Sequence, residues 1–195
     1  MVKRTQTKSQ GKSGQVRIIS GQWRGRRLPV ANVEGLRPTT DRVRETLFNW
    51  LMADVHSAHV LDLFSGSGAL AMESLSRYAA SALLFEQDAQ VVKTLKANLA
   101  SLKCDHAKVY HGNTLQLLRQ PPARPFDVIF IDPPFRKGLL QPCIELLQQQ
   151  PWLADNALIY IECESELTPN FPDDWQPLKQ KTAGQVTYYL VQKHS

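Results

Sequence analysis

Regular alternation of strand-like and helix-like segments predicts an α/β protein with a doubly wound, mostly parallel sheet. Three observations carry that expectation. From His59 onward, short apolar runs alternate with segments of helical period, the pattern of successive βαβ units. The residues with chemical potential fall just after the first four of those runs, where open α/β sheets bind their ligands. An apolar content of 43% in 195 residues is enough for one packed core.

Taken in order, Met1 to Gly14 is polar and basic and reads as a disordered tail. It contains no apolar stretch of signal-peptide length, and no run in the chain approaches a membrane span, so a cytoplasmic protein is expected. Residues 15–36 form an N-terminal extension. Val16 to Ile19 has strand character, Gly21 to Gly25 supplies turn chemistry, and Arg26 to Val30 returns as a second strand. Charge is concentrated here. Residues 1–50 hold eleven Lys and Arg against three acids, whereas the rest of the chain is slightly acidic. A basic head on an acidic body suits a polyanion docked on one side. Arg17, Arg24, Arg26 and Arg27 interleaved with Trp23 suit a base stacked on an indole and phosphates held by guanidinium groups. The alternative is a hairpin whose tryptophan packs on the main domain.

Residues 37–195 make up the main domain. Thr39 or Thr40 caps a helix running to about Ala53, with Val43, Leu47, Trp50 and Leu51 as its core-facing stripe. Then follow strand Val60–Phe64, helix Gly66–Tyr78, strand Ala82–Phe85, helix Asp88–Leu102 and strand Lys108–Tyr110. A helical turn at Thr114–Arg119, strand Phe126–Ile131, helix Leu139–Gln149 and strand Ala157–Ile161 complete the alternation. Trp175–Lys181 and Val186–Gln192 flank Ala183-Gly184 as a closing hairpin.

The first strand runs into Asp62-Leu63-Phe64-Ser65-Gly66-Ser67-Gly68. Gly66 and Gly68 let the chain turn sharply and let a ligand approach the backbone. Gly66 to Ala71 also fits the dinucleotide fingerprint, with Glu86 twenty residues on where a ribose-binding acid belongs, so a nicotinamide-dependent oxidoreductase is a rival. Charge separates the two readings. A carboxylate at Asp62 repels a pyrophosphate but attracts S-adenosylmethionine, which has no phosphate and carries a sulfonium and an ammonium. Asp62 as a simple turn cap is the plainer alternative. Asn113, after the third strand, can accept from an adenine amine through its amide oxygen or act only as a turn residue.

The fourth strand ends in Asp132-Pro133-Pro134-Phe135. Consecutive prolines stiffen the backbone and leave carbonyls free. The Asp132 carboxylate and the Pro133 carbonyl can accept both N–H bonds of one planar amine, and Phe135 offers a face for a base. An aromatic exocyclic amine is a weak nucleophile because its lone pair is delocalised. Two acceptors favour its pyramidal form and stabilise the positive charge that develops on nitrogen. Arg136 and Lys137 are candidates for flanking phosphates, or a solvated loop. Cys104, Cys143 and Cys163 have no metal-ligand spacing, so neither a metal nor a disulfide framework is expected.

These motifs, in this order, resemble those of class I amino-methyltransferases. Arg17-Ile18-Ile19-Ser20-Gly21-Gln22-Trp23-Arg24-Gly25-Arg26-Arg27-Leu28 and Arg37-Pro38-Thr39-Thr40-Asp41-Arg42-Val43-Arg44-Glu45 resemble, more narrowly, the RsmD family. That resemblance covers Gln15 to the C-terminus. It implies a Rossmann-like seven-stranded sheet with its last strand antiparallel, and methylation of N2 of a guanine in 16S ribosomal RNA. The implied partner is an assembled or partly assembled small ribosomal subunit. A monomer is expected, since nothing in the sequence suggests an obligate dimer. The resemblance also implies that Arg37 and Thr39 close over the methionine end of the cofactor. The same Asp-Pro-Pro-Phe logic serves an adenine-N6 methyltransferase of nucleic acid.

Overall fold

The computed structural model describes residues 14–33 and 40–194; the basic tail before Gly14 and the expected cofactor contacts Arg37 and Thr39 lie outside the described residues. Two short antiparallel strands, β1 (Gln15–Arg17) and β2 (Arg27–Pro29), open the chain, followed by α1 (Asp41–Trp50). The alternating part consists of β3 (His59–Asp62), α2 (Ala69–Ser76), β4 (Ser81–Glu86), α3 (Ala89–Ser101), β5 (Ala107–His111) and α4 (Thr114–Leu118). It continues through β6 (Phe126–Ile131), α5 (Leu140–Gln149), β7 (Leu153–Glu164), β8 (Trp175–Ala183) and β9 (Val186–Lys193).

Seven strands form one sheet in the order β5-β4-β3-β6-β7-β9-β8. β3 to β7 pair in parallel, and β9 runs antiparallel to both its neighbours. The mostly parallel sheet with an antiparallel last strand is thus the Rossmann-like arrangement expected. Strand order reverses between β3 and β6, so the loops after these two strands diverge and leave a crevice.

Alternate residues of each central strand feed two apolar layers. Val60, Leu84, Val128, Phe130, Leu158 and Tyr160 pack beneath α1, α2 and α3, while Leu61, Phe85, Ile129, Ile131, Ile159 and Ile161 pack against α5. Near-continuous apolar strands are what a sheet covered on both faces requires. In α1, Leu47 and Leu51 enter the core as expected, but Val43 and Trp50 are only half-buried and Arg44 and Phe48 are buried instead. Thr40 caps this helix, its hydroxyl accepting from Val43 N–H at 3.4 Å. Asp88 caps α3 more tightly, accepting from Gln90 and Val91 N–H at 2.8 and 3.0 Å.

The N-terminal hairpin is built into the first layer, where Val16, Ile18, Leu28 and Val30 are all buried with residues of the sheet and helices. Its turn docks on the end of α2. Ser76 Oγ donates to the Ser20 carbonyl at 2.6 Å and accepts from Trp23 N–H at 3.0 Å. Gly21 has φ +81°, and a Cβ there would lie 1.8 Å from the Ser76 carbonyl oxygen, so only glycine permits this approach. Beneath the turn sits Glu73, with 0% of its side chain exposed. Its carboxylate accepts from Ile19 and Ser20 N–H at 2.7 and 3.0 Å and from Arg77 Nε at 2.8 Å, with Arg44 Nη1 at 3.7 Å. Arg44 also grips Asp41 at 2.6 Å, and Asp41 accepts from Arg17 at 3.0 Å. This hub explains why every residue of α2, polar ones included, is buried: the hairpin covers the face a surface helix leaves in water.

Candidate active site

β3 delivers Asp62 to the crevice. Asp62 is in register with Phe130 of β6, on the first-layer face of the sheet, and is buried. Burial pushes its carboxyl up to about 7; the charges of Asp132 and Glu86 push the same way, and the N–H groups of Phe64 and Ala71 act against them. The turn that follows has Gly66 at φ +48° and Gly68 at φ +75°, both in the left-handed region. A Cβ on Gly68 would come within 2.6 Å of Leu95 on α3, so the second glycine also lets the loop press against that helix. α2 therefore starts at Ala69, three residues later than the sequence pattern suggests, because Gly66 to Gly68 are spent on the turn.

Glu86 ends β4 and reaches back to the same loop. Its two oxygens accept from Gly66 N–H at 3.0 Å and from Asp88 N–H at 2.8 Å. A carboxylate has further lone pairs, so it can hold the loop and still accept from a hydroxyl pair. Phe64 is half-buried against the second layer. Thr114 ties the turn to the next strand end by donating to the Leu63 carbonyl at 2.7 Å. Asn113 is exposed, and its amide oxygen accepts from Gln116 N–H at 3.2 Å, capping α4.

β6 ends at Ile131, and Asp132 follows it into the crevice, part of its surface still open. Burial pushes this carboxyl up to about 7. Pro133 is buried and Phe135 is 39% exposed, so the loop presents an open ring above a fixed backbone. Arg136 takes φ +59°, its N–H donates to Glu164 Oε1, and its guanidinium lies 3.7 Å from Glu166. The end of β7 thus anchors the Asp132–Phe135 loop. Lys137 is exposed.

The sequence did not single out Glu162, a buried acid near the end of β7. Burial, then the charge of Asp132, pushes it up to about 8, and a hydrogen bond from Tyr160 lowers it. The expected strand stopped at Ile161, yet the signal was available: Asp62, Glu86, Asp132 and Glu162 each stand at the finish of an apolar strand run. None of these four acids is in an ion pair among the described residues. Like charges gathered in a low-dielectric crevice favour a cationic guest and disfavour a pyrophosphate. The described residues contain no group of three or more His, Cys, Asp or Glu side chains placed to share a metal ion.

On the basic side, Arg24, Arg26 and Arg27 are exposed, with Arg26 also donating to the Ser101 carbonyl at 3.2 Å. Arg17 is engaged by Asp41. Trp23 is half-buried against the core, leaving part of its surface open.

Comparison with known proteins agrees with this geometry. Residues 16–192 match the family model described as conserved hypothetical protein 95. A relative from Escherichia coli strain K12, named ribosomal RNA small subunit methyltransferase D, is 54% identical over 184 residues, covering 94% of this chain and 92% of its own. A relative of the same name from Haemophilus influenzae is 51% identical over 182 residues, covering 92% and 94%. A solved structure from Escherichia coli superposes with a TM-score of 0.87 at 54% identity, covering 93% of this chain and 99% of that one. An RNA methyltransferase from Salinibacter ruber solved with S-adenosyl-L-homocysteine shares the fold alone, at a TM-score of 0.61 and 18% identity over 82% and 95% of the two chains. With the match spanning both the hairpin and the sheet, the chain belongs to the RsmD family of class I methyltransferases.

Proposed function

We propose that this protein transfers a methyl group from S-adenosylmethionine to the exocyclic N2 of one guanine in 16S ribosomal RNA. The observation that carries the reading is the set of acids at the end of the sheet, Asp62 and Glu162 buried and Asp132 and Glu86 half-buried, none of them in an ion pair among the described residues. S-adenosylmethionine fits that donor set, because it brings positive charge, a ribose diol and no phosphate. The relatives named ribosomal RNA small subunit methyltransferase D support the RNA and the subunit.

In this reading Asp62, Phe64, Gly66 and Gly68 form the wall against the cofactor, Glu86 holds its ribose hydroxyls, and Asn113 faces its adenine. Arg37 and Thr39 hold its carboxylate. When bound, the cofactor supplies an electrophilic methyl group on a positively charged sulfur. Asp132 and the Pro133 carbonyl accept the two N–H bonds of the guanine amine and hold it in the pyramidal form, with Phe135 stacked on the base. Asp132, poised at about 7, takes the proton that nitrogen sheds. Arg17, Trp23, Arg24, Arg26, Arg27, Arg136 and Lys137 contact the RNA. The substrate is an assembled or partly assembled small subunit, and the enzyme works as a cytoplasmic monomer. No described helix is long and apolar enough to cross a membrane.

Nucleoside mass spectrometry of small-subunit RNA from cells with and without this protein tests the proposal. One N2-methylguanine is expected to disappear with the protein and to return when purified enzyme and S-adenosylmethionine are added. Loss of N6-methyladenine instead would replace the base assignment, and an unchanged methylation profile would end it.

A further inference from the structure

Glu162 is a buried ionisable group at the sheet end that the chemistry above does not use. It is 7% exposed, and one of its oxygens accepts from the Tyr160 hydroxyl at 2.9 Å. Its other oxygen has no hydrogen bond among the described residues. A buried carboxyl without a cation is driven toward its neutral form and stays ionised only where a donor completes it. Glutamine would pack as well and avoid that conflict, so packing alone gives no reason for the acid.

Register places Glu162 beside the reaction. Ile131 of β6 and Ile161 of β7 are paired, and each is followed by an acid, Asp132 and Glu162. Since Ile131 and Ile161 both face the second layer, both acids project from the opposite face, on strands about 4.8 Å apart. The row continues across the sheet, Glu162 lying opposite Tyr188 of β9 and Tyr188 opposite Lys181 of β8. Tyr160, Tyr188 and Lys181, with Trp50 and Arg42 of α1, line an open pocket of about 170 Å³ alongside this row. A dry cavity of about 150 Å³ already accepts a benzene ring, so a planar group fits against Tyr160, the hydrogen-bond partner of Glu162.

We propose that Glu162 reads the ring of the target base, its free oxygen accepting the N1–H of guanine while Asp132 holds the neighbouring 2-amine, with Tyr160 as the positioning residue for Glu162. This rests on the guanine-N2 reading above. The base chemistry fits two adjacent acceptors. The Watson–Crick edge of guanine presents two neighbouring donors, N1–H and the 2-amine, whereas adenine presents an amine beside a bare ring nitrogen that an ionised carboxylate repels. A site built to pair a buried polar group discriminates strongly against an analogue lacking the partner atom.

The analogue that isolates this contact is 2-aminopurine, which keeps the 2-amine and has an unprotonated N1. Small subunits reconstituted with guanine or 2-aminopurine at the methylated position provide the two substrates, and single-turnover methyl transfer above pH 8, where Glu162 is ionised, is the readout. Wild type is expected to prefer guanine by about a hundredfold or more. Glu162→Gln, whose amide can donate to a bare N1, should lose about tenfold or more on guanine, methylate 2-aminopurine measurably, and so shrink or invert the preference. Its affinity for S-adenosylhomocysteine and its unfolding midpoint should not fall. Tyr160→Phe, which keeps the acid but frees its orientation, should shrink the preference by a smaller factor. An unchanged preference in Glu162→Gln, unchanged guanine turnover, or no turnover of 2-aminopurine by that variant would each overturn the proposal. Failure of the guanine-N2 reading itself is distinct, because wild type would then yield a product other than N2-methylguanine.

Discussion

Two regions of this molecule bury carboxylates, and they do so in opposite ways. Under the hairpin, Glu73 is met by two backbone N–H groups, Arg77 and Arg44, and nearby Asp41 is shared by Arg17 and Arg44. Burial raises the Asp41 carboxyl, but its hydrogen bonds to Arg17 and Arg44 lower it by more, and it ends below its ordinary value. In the crevice, Asp62, Asp132 and Glu162 are pushed upward with no cation among the described residues to pull them back. The first arrangement is complete within the chain and holds elements together. The second stays unbalanced until a positively charged guest enters, which marks it as the working end of the molecule.

Mutation should separate the two acids cleanly. The largest effect is expected for Asp132→Asn, which should reduce methyl transfer by about a thousandfold in single-turnover assays, as loss of a positioned acceptor and base does. Its unfolding midpoint in urea should hold or rise. A marked drop in stability would mean that the crevice acid is structural after all. Next comes Glu73→Ala, which leaves buried Arg44 with Asp41 as its one carboxylate among the described residues and strips Arg77 and two N–H groups of their acceptor. A loss of about 3–5 kcal/mol is expected from equilibrium denaturation; a loss below 1 kcal/mol would dissolve the contrast. Glu86→Ala should weaken cofactor binding by about 1–3 kcal/mol in calorimetry, and wild-type affinity in that variant would remove its role.

The smallest effect is graded with pH. A carboxyl whose folded value lies above its unfolded value of about 4 stabilises the fold fully below that value and loses its contribution as pH rises through the folded value. With Asp62 and Asp132 at about 7 and Glu162 at about 8, the ligand-free protein should become less stable from roughly pH 4 to pH 8. Over the same window its affinity for S-adenosylmethionine should rise, since the guest meets carboxylates already ionised. S-adenosylhomocysteine, with one positive charge fewer, should respond less. Parallel pH slopes for the two ligands would show that the crevice does not sense the sulfonium.

Local pattern made the strands, the glycine turn, Glu86 and the Asp-Pro-Pro-Phe loop legible, because each is written in consecutive residues and a fixed period. What stayed hidden was long-range. β7 starts at Leu153 rather than Ala157 because Leu153 pairs with Phe126 across a register shift, with Asn156 at φ +59°, and no sequence period announces a bulge. Glu73 carried no local signal, since the two N–H groups it binds lie more than fifty residues upstream in the hairpin. Asn113 could be read either as a ligand contact or as a turn residue, and the structure spends its oxygen on a helix cap. Arg44 had nothing to mark it as core, though it is among the largest fully buried side chains, its Nε without a partner among the described residues.

The docking of Gly21 against the Ser76 carbonyl, with Val16, Ile18, Leu28 and Val30 sunk among the sheet's own residues, bears on how this enzyme can be dissected. A fragment beginning after Val33 would be missing a wall rather than a handle. It would expose an apolar seam and strand the Glu73 carboxylate. Loss of activity on trimming would then report collapse, and the contribution of the arm to grip can be learned only by recolouring its outward arginines one at a time.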